Sequence, residues 1–208
     1  MTSVRAHHTL VSPSIEKWSV PPHILSTREV YRGWTTIRQV KLRLDSGDAV
    51  VREVEDHGNA AAVLPFDAER RTAILIRILR VPAFLTAGRV KLLECPAGLV
   101  EEANPADTAR REAYEEVGVV LHEVEHAGRV WTAPGISSEM MDLYLAPYSA
   151  ADRIHAGGGL PAEHEHIDVV ELGLNELWSM AERNEIEDLK TLTLVLMLKI
   201  RRPELFGR

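Results

Sequence analysis

The chain has little cysteine and few aromatic residues: one Cys, three Phe, four Tyr and four Trp among 208 residues. The single cysteine, Cys95, excludes an internal disulfide, and beside Pro96 it is typical of a small strand residue rather than a reactive nucleophile. The longest apolar run, around residues 192–198, has about half the length that a membrane span requires. The first residues also lack the apolar segment of a secretory signal. These absences predict a cytoplasmic protein without membrane contact.

Basic residues are outnumbered, with 24 Lys and Arg against 31 Asp and Glu, which gives a net charge of −7 at pH 7. Nucleic acids and anionic membranes attract basic surfaces, so this balance predicts neither of them as a partner. A substrate that carries phosphate would instead need local arginines or a metal ion. The length and the 45% of hydrophobic residues are typical of one soluble globular domain.

Strand and turn patterns predict three parts of the chain. Residues 1–30 form an N-terminal arm that contains prolines and histidines, and residues 31–58 form a β-hairpin around the turn at 46–48. Residues 59–208 form the main domain. Its pattern of many strands, one helix in mid-chain and two helices near the end predicts an α+β fold with a mixed sheet. The strands are expected at residues 60–65, 72–79, 90–97, 123–131, 139–146 and 167–172, and the late helices at 176–183 and 188–201.

The helix in mid-chain has recognisable ends. Asn104 suits the N-cap position, where its side chain accepts from a free backbone N–H, and Pro105 fits the first helical position, which needs no N–H. Gly118 is a natural left-handed stop. Small apolar residues recur at helical spacing between these ends, so one face of the helix is expected to pack on the core.

The other face of this helix carries three acids, Glu112, Glu115 and Glu116, at positions i, i+3 and i+4. Residues with this spacing are neighbours on a helix surface, so their charges repel unless a cation lies between them. Arg111, four residues before Glu115, offsets only part of this repulsion. The helix face is therefore either a solvated acidic surface or a site for a metal ion. The glycine-led loop before the helix favours the metal site.

The loop and helix resemble the Nudix box, in which Gly, five residues, Glu and seven residues precede Arg-Glu-apolar-x-Glu-Glu-x-Gly-apolar. Gly98 leads the pattern, and residues 111–119 fit its second half at every position. The interval from Gly98 to Arg111 is one residue shorter than in the pattern, and Asn104 stands where the first Glu is expected. Because that Glu is mostly structural in the family, this departure concerns the anchoring of the loop more than metal binding.

Further segments resemble the nucleoside-diphosphate-sugar pyrophosphatase branch of the Nudix superfamily, and most of all its GDP-mannose hydrolase subgroup. The similarity covers residues 34–198. It is carried by the shortened box with Asn104-Pro105 and by the segments 76–81, 134–139, 156–159 and 163–167.

The resemblance implies a Nudix fold, an α/β/α sandwich with a mixed β-sheet and an N-terminal β-hairpin extension that joins two subunits of a homodimer. It implies Mg²⁺-dependent hydrolysis of the pyrophosphate bond of a nucleotide sugar, with Mn²⁺ as a possible substitute for the metal. GDP-mannose is the first candidate substrate and ADP-ribose the second. A nucleotide-sugar sensor that binds without cleaving is an alternative of a different class.

The resemblance also assigns roles to individual residues. Mg²⁺ is a hard cation that prefers oxygen ligands, which fits a metal site made of carboxylates and a backbone carbonyl. Within the loop after the glycines, Glu163 is the better candidate for the general base and Glu165 for a metal ligand. The expected metal ligands are Ala97, through its carbonyl, Glu112, Glu116 and Glu165; the catalytic residues are Glu163, Glu115 and Arg111; the substrate-binding residues are Arg77, Arg80, Glu94 and Glu139.

Overall fold

The computed structural model describes residues 21–160 and 166–207. The chain divides into two compact units after Val54. Strands β1 (His23–Arg32), β2 (Thr36–Arg43) and β3 (Ala49–Asp56) form one sheet in that order, with β1 and β2 antiparallel; this sheet belongs to the first unit except for the last two residues of β3. The hairpin of β2 and β3 is the one that the sequence predicts. Strand β1 was not predicted and crosses the expected end of the arm at residue 30, because Pro21 and Pro22 precede this strand rather than interrupt it.

The second unit is built on a mixed sheet. Its main strands run in the order β10-β5-β4-β9-β8, with β6 beside β5 and β7 beside β4. The pair β4–β9 is parallel, whereas the other neighbours are antiparallel. The strands are β4 (Ala60–Asp67), β5 (Thr72–Ile78), β6 (Leu92–Glu94), β7 (Ala97–Leu99), β8 (Glu125–Trp131), β9 (Met140–Pro147) and β10 (Asp168–Gly173).

Helices cover both faces of this sheet, which confirms the predicted α/β/α sandwich. The helices are α1 (Val81–Ala87), α2 (Pro105–Val117), α3 (Leu174–Glu182) and α4 (Leu189–Arg201). The small residues of α2 join one core cluster with alternate residues of β4 and β5, while α3 and α4 join the cluster on the opposite face. The short helix α1 was not predicted, since it buries no residue and so lacks an apolar periodicity.

The ends of α2 are those that the sequence predicts. The side chain of Asn104 accepts a hydrogen bond from the backbone N–H of Ala106 at 3.1 Å. Gly118 adopts a φ of +74°, and a Cβ at this position would lie 2.0 Å from the carbonyl oxygen of His155. The helix therefore ends where another backbone segment crosses closely over it, and only glycine fits there.

Cys95 is fully buried, and this burial raises the pKa of its thiol to about 12. The prediction of a structural rather than nucleophilic cysteine is consistent with this environment, because a reactive cysteine needs a thiolate. In residues 21–160 and 166–207, no helix is long and apolar enough to span a membrane.

Candidate active site

Helix α2 and strand β7 bring the predicted metal ligands of the box together. Glu112 and Glu116 are 8% and 3% exposed, although both are acids. A Cβ on Gly98 would lie 1.7 Å from Glu112 Oε1, so the carboxylate of Glu112 rests directly on the backbone of β7. The backbone N–H of Ala97 donates to Glu116 Oε2 at 3.2 Å. The leading glycine of the box thus allows a strand backbone to approach two carboxylates that lie one turn apart.

Arg111 supplies positive charge to this cluster. Its Nη1 lies 2.8 Å from Glu112 Oε1 and 3.0 Å from Glu115 Oε2, and its Nε lies 2.9 Å from Glu102 Oε1. Burial disfavours the charged guanidinium, but the three carboxylates outweigh that effect and raise the pKa of Arg111. Arg111, which the sequence spacing placed beside Glu115 alone, therefore binds three acids and orients two acidic residues of the box.

Glu102 is the residue that anchors Arg111, and the sequence did not single it out. Its carboxylate accepts from Thr108 Oγ1 at 2.5 Å and from Arg111 Nε at 2.9 Å. These two hydrogen bonds lower its pKa to about 2. Asn104, at the position of the first box Glu, caps the helix instead, while Glu102 anchors the loop from two residues earlier.

The donor set of this cluster suits a hard divalent cation. It consists of the carboxylates of α2 and the backbone of β7, all of which can offer oxygen atoms. Within the described part of the chain, no three His, Cys, Asp or Glu side chains already form a closed metal-binding group. Glu163 and Glu165, the predicted base and the remaining predicted ligand, lie outside the described residues.

The segment that leads toward residues 161–165 starts at the C-terminal end of α2. The backbone N–H of Gly158 donates to the carbonyl of Glu116 at 2.8 Å, and that of Gly159 donates to the carbonyl of Glu115 at 3.2 Å. Gly157 has a φ of +74°, and a Cβ there would lie 2.3 Å from the Glu116 carbonyl. Gly158 and Gly159 are thus hydrogen-bonded to the helix that carries the acids, and Gly157 packs closely against it.

Two predicted substrate-binding residues, Arg80 and Glu94, form an ion pair with each other. Arg80 donates to Glu94 through Nε and Nη2, each at 2.9 Å, and Lys190 Nζ also contacts Glu94. Burial opposes the ionisation of Glu94, which is 1% exposed, but these cations outweigh burial and lower its pKa. Arg77 is separate from this network: it is exposed on β5 and has no ion pair in residues 21–160 and 166–207.

Glu139, another predicted substrate-binding residue, lines a cavity of about 360 Å³ together with Lys190. Lys190 lies in the first turn of α4 and also binds Asp188 at 3.0 Å, while Glu94 and Asp188 together raise its pKa against the effect of burial. The sequence predicts a helix at 188–201 but no role for Lys190, because a lysine in a helix carries no signal that distinguishes it from a surface charge. The cavity is lined by Val130, Trp131, Thr132, Glu139, Met141, Asp188, Leu189, Lys190 and Thr193.

A mixed-sheet sandwich whose box glycine rests on the acids of a helix defines a Nudix hydrolase. The sequence profile of the NUDIX domain family matches residues 56–195, and the chain belongs to this family. It is a Nudix pyrophosphohydrolase. Nudix hydrolases generally use divalent metal cations, in agreement with the oxygen donors around α2.

Relatives and a solved structure agree with this assignment. A GDP-mannose pyrophosphatase of Citrobacter koseri is 37% identical over 153 residues, which are 72% of this chain and 79% of the relative. A GDP-mannose pyrophosphatase of Cronobacter sakazakii is 31% identical over 188 residues, 88% of this chain and 97% of the relative. The crystal structure of an ADP compounds hydrolase covers 88% of this chain and 95% of its own with a TM-score of 0.72; at 21% identity it supports the fold alone.

Proposed function

We propose that this chain hydrolyses the pyrophosphate bond of a nucleotide sugar similar to GDP-mannose, with Mg²⁺, to a nucleoside monophosphate and a sugar phosphate. The observation that carries the proposal is the pair of buried acids, Glu112 and Glu116, held against the backbone of Ala97 and Gly98. Carboxylates that lie together beside a strand backbone offer the oxygen donors that a hard divalent cation prefers. A hard cation is also what a pyrophosphate substrate requires.

The proposed mechanism assigns separate tasks to the residues of the box. Bound Mg²⁺ would neutralise phosphate charge and lower the pKa of a water molecule. Glu112, Glu116 and the carbonyl of Ala97 would hold the cation, and Arg111 would keep Glu112 and Glu115 in place beside it. Glu163 remains our candidate for the base that takes the proton from the attacking water, and Glu165 for a further ligand; both assignments rest on the sequence resemblance.

The cavity beside Glu139 is our candidate for the sugar or base of the substrate. It combines an acid and a cation, Glu139 and Lys190, with the apolar surface of Trp131 and Leu189. Small-molecule sites have this composition, with apolar walls and a few polar groups that fix orientation. Hydroxyl groups of a sugar can donate to Glu139 and accept from Lys190. The names of the relatives make GDP-mannose the first substrate to test.

A panel of nucleotide sugars, including GDP-mannose and ADP-ribose, tests the proposal with Mg²⁺, with Mn²⁺ and without metal. Separation of the products shows which bond breaks. We expect GDP-mannose to yield GMP and mannose 1-phosphate, with little turnover in chelator. Faster turnover of ADP-ribose would identify ADP-ribose as the preferred substrate, while the type of reaction that we propose would stay the same. Thermal stabilisation by a nucleotide sugar without any product would instead favour a sensor.

Glu116→Gln tests the metal site because it removes a ligand charge and keeps the shape of the side chain. We expect kcat to fall at least about a hundredfold at saturating Mg²⁺. Glu123→Gln, at an exposed position, is the matched control and is expected to behave as the wild type. A Glu116→Gln enzyme within a few-fold of the wild type would show that Glu116 does not bind the metal.

We also propose that the chain forms a homodimer through its N-terminal unit. Strand β1 exposes Ile24 and Tyr31, both to more than half of their surface, which is typical of surfaces that pack against another chain. Light scattering of the wild type and of Ile24→Ser tests this. We expect twice the mass of the chain for the wild type and a shift toward the monomer for the variant; a wild-type monomer would contradict the proposal.

A further inference from the structure

His57 lies between two carboxylates in the second unit of the chain. Its Nδ1 is 2.6 Å from Glu55 Oε1, and its Nε2 is 3.3 Å from Glu139 Oε1. The imidazole is only 17% exposed. A neutral imidazole has a single N–H, so it can donate to both carboxylates only when it is protonated. The arrangement therefore favours a histidinium that bridges Glu55 and Glu139.

The loop that carries Glu139 is attached to the backbone next to His57. The N–H of Glu55 donates to the carbonyl of Ile136 at 2.8 Å, and the N–H of Ser138 donates to the carbonyl of Glu55 at 2.9 Å. Ser137 Oγ also donates to Glu55 Oε2 at 2.7 Å. These bonds fix the backbone of residues 136–138, but they do not set the direction of the Glu139 side chain.

The Glu139 side chain is oriented by His57 and Thr132. Thr132 Oγ1 donates to Glu139 Oε2 at 2.5 Å, and His57 reaches the other oxygen, Oε1. Both Thr132 and Glu139 line the cavity that also contains Lys190. Since a hydroxyl rotates freely, Thr132 alone gives a weak constraint, and the partly buried imidazole is the partner that limits where the carboxylate points.

We propose that His57 is a positioning residue which, when protonated, holds Glu139 in the direction required to bind the substrate in this cavity. The inference rests on the proposed function, because it is there that Glu139 contacts the substrate. Among residues 21–160 and 166–207, the carboxylates that contact the imidazole are Glu55 from β3 and Glu139 from the loop, and Asp56 is adjacent in the chain. Burial opposes the charge of His57, but the two facing carboxylates outweigh burial and raise its pKa.

The sign of the pH dependence follows from this raised pKa. The bridge is complete below the ordinary histidine pKa of 6.5 and is lost as the pH rises through the raised pKa. Substrate affinity is therefore expected to fall, and KM to rise, at alkaline pH, even where the catalytic base is in its active, deprotonated form. Arginine at this position stays charged at every pH of interest. His57→Arg should keep the bridge and remove the pH dependence.

The first experiment measures the contact without any substrate. Imidazole titration by NMR of the full chain should show that Glu139→Gln lowers the pKa of His57, while the NMR signals of His122, an exposed histidine bound to Asp152, serve as the internal reference. An identical His57 titration in the two proteins would overturn the proposal. This titration needs no substrate, so its result is independent of catalytic activity. If no nucleotide sugar is hydrolysed, that finding counts against the proposed function and not against the contact between His57 and Glu139.

The second experiment measures kinetics with the best substrate of the panel. We expect His57→Gln to raise KM about tenfold, the effect of losing a hydrogen bond to a charged group, while kcat stays within twofold. His57→Arg should retain the wild-type KM and show no rise in KM with pH, and His122→Gln should match the wild type. An unchanged KM in His57→Gln, or a loss of kcat alone, would refute a positioning role.

Discussion

The anchoring of Arg111 by Glu102 gives a prediction whose size follows from the structure. Hydrogen bonds from Thr108 and Arg111 lower the pKa of Glu102 from 4.5 to about 2. At ~1.4 kcal/mol per unit, this shift corresponds to at most about 3 kcal/mol of folding stability. The side chain is 31% exposed, so screening by solvent reduces the expected contribution to about 1–2 kcal/mol. Glu102→Gln should therefore lower the melting temperature by about 2–8 °C.

Glu101→Gln is the matched control, since it removes the same charge from the exposed neighbouring residue. Thermal unfolding between pH 5 and 8 should show a constant deficit for Glu102→Gln. A group with a lowered pKa contributes fully above its ordinary pKa of 4.5, and its contribution is lost only as the pH falls toward 2. Release of Arg111 should also weaken Mg²⁺ binding about tenfold, measured as the Mg²⁺ concentration for half-maximal activity. Equal melting temperatures of the two variants would refute the anchoring role.

Two further substitutions test the packing of the site. Gly98→Ala places a Cβ within 1.7 Å of Glu112 Oε1; we expect a loss of activity of at least about a hundredfold with the circular dichroism spectrum retained, and wild-type turnover would contradict it. Glu94→Gln leaves the cations of Arg80 and Lys190 without their shared carboxylate, which should cost about 3 kcal/mol in denaturant unfolding. Additional removal of the charge by Lys190→Met should recover part of that loss; strict additivity would argue against the network.

The sequence predicts α2 and its acids well because the information is local. Capping by Asn104 and termination at Gly118 depend on the chemistry of one or two residues. The convergence of Glu112 and Glu116 depends on helical spacing alone. Alternating apolar residues likewise predict most strands of the larger sheet. These features need no knowledge of what lies elsewhere in the chain.

The partners of the acids could not be predicted, because they depend on contacts between distant segments. Glu94 meets Lys190 across 96 positions of sequence, and His57 meets Glu139 across 82. Arg80 is a predicted substrate-binding residue, and its ion pair with Glu94 could not be read from the sequence. Glu102 is close to Arg111 in sequence, but its role depends on how the loop turns before the helix, and no spacing rule describes that turn.

A network of alternating charges extends from the cavity toward α2, the helix of the proposed metal site. Arg80 binds Glu94, and its pKa is raised by Glu94 first and also by the charge of Glu116 on α2. Glu94 in turn binds Lys190, whose other partner, Asp188, lines the cavity. Each charge in this network is partly compensated by the next one. A change in charge at Glu116 is therefore expected to change the electrostatic attraction between Glu94 and Lys190. Cation binding at the proposed metal site on α2 and substrate recognition in the proposed cavity are therefore expected to be energetically coupled.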